Sequence, residues 1–133
     1  MKKILKNIEI INIIDSINEL MNEKLPTKTG WNISKNLRKL DVSFKTYVEL
    51  ENKLVKEYAL KDDNGEVLLD EGNQPKFAPN NKEKYLKERQ ELLNCEDEFD
   101  FLTINLSDLN NINIKPSILF NLEFMIADDT NDK

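Results

Sequence analysis

Apolar residues recur along the chain at different periods, and each change of period marks a new element. From about Lys3 to Lys24, Ile10, Ile14, Ile17 and Met21 follow a 4-3-4 spacing, with Ile4, Ile8, Ile11 and Leu20 widening the stripe. That spacing predicts a helix buried on a broad face. Its β-branched isoleucines are modest helix formers, so packing must hold it. Pro26 ends it, and Leu25 to Gly30 reads as a tight connection. A longer ladder then joins Ile33, Leu37, Leu40, Phe44, Tyr47, Leu54 and Tyr58, with Glu51 at the skipped heptad place. Asn32 or Ser34 would cap this second helix. The short connection predicts an antiparallel αα-hairpin over 1–60.

After residue 60 the helical period stops. Lys61-Asp62-Asp63-Asn64-Gly65 and Asp70-Glu71-Gly72-Asn73-Gln74 are turn signals around Val67-Leu68-Leu69, and Pro75 to Ala78 follows. These pieces predict a small β-hairpin or arm over 61–79, with Asn64-Gly65 suited to a type I′ turn. A third helix starts at Asn80 or Asn81 and carries Tyr85, Leu86, Arg89, Leu92 and Leu93 on one side. From Glu98 to Leu106 the period becomes two, predicting a strand, and Ile112-Asn113-Ile114 is a candidate second strand. Pro116 opens a last helix with Ile118, Leu119, Leu122, Met125 and Ile126 as its stripe. Asp128 to Lys133 is a polar tail. The expected fold is α+β and helix-dominated, as one domain over 1–133: hairpin, arm, helix–strand–helix over 80–127, and tail. No internal repeat stands out.

Composition narrows the chemistry. The 133 residues contain no histidine, one cysteine and three isolated glycines. There is no imidazole base, no Cys/His zinc set and no phosphate-cradling glycine loop. Cys95 lies between apolar and acidic neighbours, a setting that opposes a reactive thiolate. The first residues fail as a secretory signal, because Glu9, Asn12 and Asp15 interrupt them. No apolar run approaches the ~20 residues a membrane helix needs. A soluble, intracellular protein of a reducing compartment is expected.

Charge is unevenly spread. Residues 1–61 carry 12 basic and 8 acidic side chains, and residues 62–133 carry 7 and 17. The halves therefore have net charges of +4 and -10. An acidic surface of this kind meets a basic partner, supports head-to-tail self-association, or is simply solvated. Asp62, Asp63, Asp70, Glu71, Glu96, Asp97, Glu98 and Asp100 are the candidate partner-binding residues. A calcium loop centred on Gly65 lacks its leading carboxylate, because Leu60 falls at the first position. Catalytic work by the 96–100 carboxylates would require convergence in a cleft, which clustering in sequence does not supply. Lys28, Lys35, Arg38, Lys39 and Lys45 gather early in the second helix, yet arginine is nearly absent and the chain is acidic, which argues against direct nucleic-acid binding. No catalytic residue, metal or cofactor is expected.

The order of several short motifs resembles a family of small proteins encoded by tailed phages and prophages of Gram-positive bacteria. Its carriers are Lys24-Leu25-Pro26-Thr27-Lys28, Ile33-Ser34-Lys35-Asn36-Leu37, Glu57-Tyr58, Lys61 to Gly65, Gly72-Asn73 and Lys76-Phe77. Glu91-Leu92-Leu93, Leu106-Ser107-Asp108-Leu109, Ile114-Lys115-Pro116 and Leu122-Glu123-Phe124-Met125-Ile126 complete the set. The stretch from Cys95 to Phe99 departs from it. The resemblance brings no activity and no site residues. It implies a phage protein acting through protein contacts, as a virion or assembly accessory, in the host cytoplasm or in a virion. The alternative is an acidic inhibitor of a host defence or nucleic-acid enzyme, imitating nucleic acid.

Overall fold

The computed structural model describes residues 1–129, so the end of the expected tail, residues 130–133, lies outside the described residues. The fold is α+β and dominated by helix. Strand β1 (Lys2–Lys6) runs directly into helix α1 (Asn7–Leu20). Helix α2 (Thr27–Tyr58) and helix α3 (Pro79–Leu93) follow, then strands β2 (Glu96–Asp100) and β3 (Ile104–Asn105). A 3-10 turn (Leu106–Leu109), helix α4 (Pro116–Leu122), a second 3-10 turn (Glu123–Met125) and strand β4 (Ile126–Ala127) complete it. The described residues divide into two compact units: residues 1–44 with 96–129, and residues 45–95. Helix α2 passes from the first unit into the second.

In the first unit, β1 and β2 pair antiparallel, with Lys2 opposite Asp100, Leu5 opposite Asp97 and Lys6 opposite Glu96. The sequence places Lys3 to Lys6 in the first helix; here they are strand. The cause is the partner. Opposite charges face each other at both ends of the register, and Leu5 and Phe99 are buried on the shared inner face. Helix α1 starts where Glu9 Oε1 accepts the Lys6 N–H at 3.0 Å. Its Ile10, Ile13, Ile14, Ile17 and Leu20 enter the core, and among the helices its backbone packs most extensively against α4. Ile33 and Leu40 of α2 join the same cluster, as do Phe99, Phe101, Ile104, Ile118, Leu122 and Met125. Helix α2 begins five residues before Asn32, because the Pro26 carbonyl accepts the Gly30 N–H at 2.9 Å and opens the first turn.

The expected strand 98–106 is broken into β2 and β3. Phe99, Phe101 and Ile104 are all buried, so the two-residue period slips between 101 and 104. The slip is held by Asn36 of α2, which is completely buried. Its amide donates to the Leu102 carbonyl at 2.9 Å and accepts the Leu102 N–H at 2.8 Å. A side chain thus supplies the backbone bonds that a neighbouring strand would otherwise give. Ile112-Asn113-Ile114 is not a strand: the preceding residues wind in turns, with Ile112 N–H donating to the Leu109 carbonyl. The short second strand is β4, parallel to β3, and it cuts the expected last helix short after Leu122.

Unit two is α2's second half, an arm and α3. The arm is not a ladder but a ring. Leu60, Leu68 and Lys76 stand eight residues apart. Leu68 N–H donates to Leu60, Lys76 N–H to Leu68, and Leu60 N–H to Lys76, all at 2.8–2.9 Å. Each eight-residue step turns on an aspartate. Asp62 Oδ1 accepts the N–H groups of Asn64 and Glu66, and Asp70 Oδ1 those of Gly72 and Gln74. The sequence suggests a type I′ turn at Asn64-Gly65, which needs positive φ at both centres; here only Gly65 is positive, at 80°, and in the second turn Asn73, at 61°. In both, the fourth residue is left-handed and its N–H donates to the carbonyl of the first, Gly65 to Asp62 and Asn73 to Asp70, each at 3.0 Å, which lets the chain reverse in five residues. The structure therefore contains an internal repeat, Leu60 to Val67 and Leu68 to Pro75, that residue identity barely shows.

Candidate functional site

The candidate acidic residues fall into two groups, one in each unit. Asp62 and Asp70 spend one carboxylate oxygen each on closing the turns just described, while Asp63 and Glu71 sit exposed at the turn crests. In the first unit, Glu96, Glu98 and Asp100 share the outer face of β2, directly opposite Lys6, Ile4 and Lys2. Asp97 accepts the Ser43 hydroxyl at 2.6 Å, and Lys39 donates to the Asp100 carbonyl at 2.6 Å. The Met1 nitrogen lies 2.9 Å from Asp100 Oδ1, and this contact holds the Asp100 carboxyl below its ordinary range. The two ends of the acidic strand thus lie opposite lysines in the register. Among the described residues, no three carboxylate or thiolate groups gather to hold a metal ion.

A polar cluster that the sequence hides lies inside unit two. Tyr47 and Glu51 are four apart on α2, and Tyr85 and Arg89 are four apart on α3. Glu51 Oε1 accepts Arg89 Nε–H at 3.0 Å and the Tyr85 hydroxyl at 3.2 Å. Burial pushes the Glu51 carboxyl up, but the Arg89 and tyrosine hydrogen bonds outweigh it, and its pKa is lowered. The Tyr47 hydroxyl is buried and makes no hydrogen bond of full geometry. Burial first, and the neighbouring Glu51 second, push it up to about 12. A carboxylate held ionised by an arginine has no proton to donate at neutral pH, and its hydrogen bonds to Arg89 and Tyr85 pin α2 to α3. The available signal was Glu51 and Arg89 standing on apolar faces; each explains the other.

Apolar exposure is the remaining feature. Leu60, Leu68 and Leu69 of the arm are 40%, 37% and 51% exposed. They are solvent-facing although the ring backbone is already hydrogen-bonded. Phe77 is instead stacked on Tyr85, with ring centroids 4.6 Å apart, and ties the arm to α3. Among the described residues no helix is long and apolar enough to cross a membrane. Searches for a matching family model, a similar curated protein and a similar solved structure return no match.

Proposed function

We propose that this chain is a non-enzymatic protein-binding factor of a phage, acting as an accessory in virion assembly, and that its contact element lies in residues 45–95. The observation that carries this reading is the set of arm leucines. Leu60, Leu68 and Leu69 are turned to solvent on a ring whose backbone bonds and Asp62 and Asp70 turns already hold it. Apolar side chains on a rigid scaffold lose little entropy on docking, which favours a protein partner. The absence of histidine and the internal use of Glu51, Asp62 and Asp70 support a binding role in place of a catalytic one.

The mimicry alternative draws less support. Nucleic-acid imitation needs an uninterrupted anionic face, and Lys2 and Lys6 stand opposite Asp100 and Glu96. The test is affinity capture from phage-infected cells, with purified virions searched for the protein. Recovery of a phage structural protein is the expected result. A monomer that captures no virion component, or capture of a host nuclease that is lost at raised salt, contradicts it.

A further inference from the structure

Within unit two, α2 and α3 leave an apolar groove of about 390 Å³ between them. Leu50, Leu54 and Leu92 supply its apolar surface. Leu50 and Leu54 are one turn apart on α2, so the apolar floor runs along the helix axis. The rim is acidic. Glu57, Glu88 and Glu91 border it against a single ammonium group, Lys53. Glu88 also neighbours Tyr58, and that carboxylate raises the tyrosine's pKa.

We infer that this groove receives a basic amphipathic helical segment of the protein partner. The inference rests on the protein-binding reading above and names the chemistry of the partner. From Leu50 to Glu57 the groove spans about 10 Å of helix axis, which matches two turns of a docked helix. Such a helix would set apolar side chains three or four residues apart on the leucines. Its flanking Lys or Arg would meet Glu57 and Glu91. The same rim argues against the other occupants. A second copy docking groove to groove would set glutamates against glutamates, and nucleic-acid phosphates or an anionic membrane would be repelled.

Cys95 lines one end of the groove, is exposed, and is the chain's one cysteine. It reports occupancy without any mutation. The probe is a synthetic helical peptide with leucines at i, i+3 and i+7 flanked by lysines, compared with the same leucine pattern flanked by glutamates. Alkylation of Cys95 by iodoacetamide is followed in the full chain. The lysine peptide slows alkylation and the glutamate peptide does not. The double charge reversal Glu57→Lys with Glu91→Lys weakens the lysine peptide by about tenfold, the loss of two rim contacts. Equal protection by both peptides, protection by neither, or protection that grows with protein concentration alone overturns the inference. Partner capture from infected cells is scored in parallel. Capture that persists with Cys95 unprotected overturns the groove while the protein-binding reading stands; failure of capture strikes that reading itself.

Discussion

The fully buried Asn36 side chain holds Leu102 by both of its backbone groups, donating at 2.9 Å and accepting at 2.8 Å. Removing it leaves the Leu102 N–H and carbonyl without their protein partner. A fully buried orphan costs about 1–3 kcal/mol, and water reaching the partly exposed Leu102 lowers that cost. Asn36→Ala is therefore expected to lower unfolding free energy by about 1–3 kcal/mol, read by urea denaturation. Asn36→Asp keeps the acceptor but loses the donor, and is also expected to destabilise. A loss below about 0.5 kcal/mol for either variant contradicts the clamp.

Glu51 and Arg89 form the second test. Both are partly exposed, so solvent screening limits their worth. Arg89→Met is expected to cost about 1–2 kcal/mol, more than the screened pair itself supplies, because Glu51 remains half-buried without its cation. The pH dependence follows from the lowered Glu51 pKa. Its contribution is present above the ordinary carboxylate value and is lost as pH falls through the depressed one. Glu51→Gln should flatten that acid limb of the stability profile.

Tyr47 works at the opposite end of the scale. Its pKa is raised from 10.0 to about 12, so the folded protein holds that proton more tightly. The stabilisation is present below the unfolded pKa and is lost as pH rises through the folded one. Ultraviolet titration of the folded protein should show one tyrosine ionising near that raised value. Tyr47→Phe should remove this step and change stability at neutral pH by less than about 1 kcal/mol, since no full hydrogen bond is broken.

The two arm turns differ at one informative position. Gly65 has φ of 80° with open space where a Cβ would stand, and Asn73 has φ of 61°. Gly65→Ala meets only backbone strain, at about 1–2 kcal/mol. Asn73→Gly is expected to be neutral or stabilising by a few tenths of a kcal/mol. Thermal unfolding of both variants checks the pair; an Asn73→Gly loss equal to that of Gly65→Ala would falsify the left-handed closure.

Much of this fold is legible from periodicity. The Ile33 to Tyr58 ladder marks α2 because a long amphipathic helix repeats its signal many times. The strand β1 is not legible, because five residues reading Lys-Lys-Ile-Leu-Lys fit the front of a helix equally well, and their partner lies some ninety residues away. The same holds for β4, a two-residue strand that interrupts the stripe from Ile118 to Ile126. Asn36 and the Glu51–Arg89 pair are visible in the sequence only as polar residues on apolar faces. Their partners are set by the tertiary fold, which local pattern does not encode. The acidic candidates were visible as charge, but charge does not say that Asp62 and Asp70 face their own backbone, or that Glu96 and Asp100 face lysines.

The most direct measurement compares two variants in one partner-capture assay from phage-infected cells. One carries Leu60→Ser, Leu68→Ser and Leu69→Ser in the arm; the other carries Glu96→Gln, Glu98→Gln and Asp100→Asn on β2. Both are first matched to the parent by circular dichroism. The expected result is that the arm variant loses the captured phage protein and the β2 variant retains it. Retention by the arm variant with loss by the β2 variant contradicts a contact element in residues 45–95.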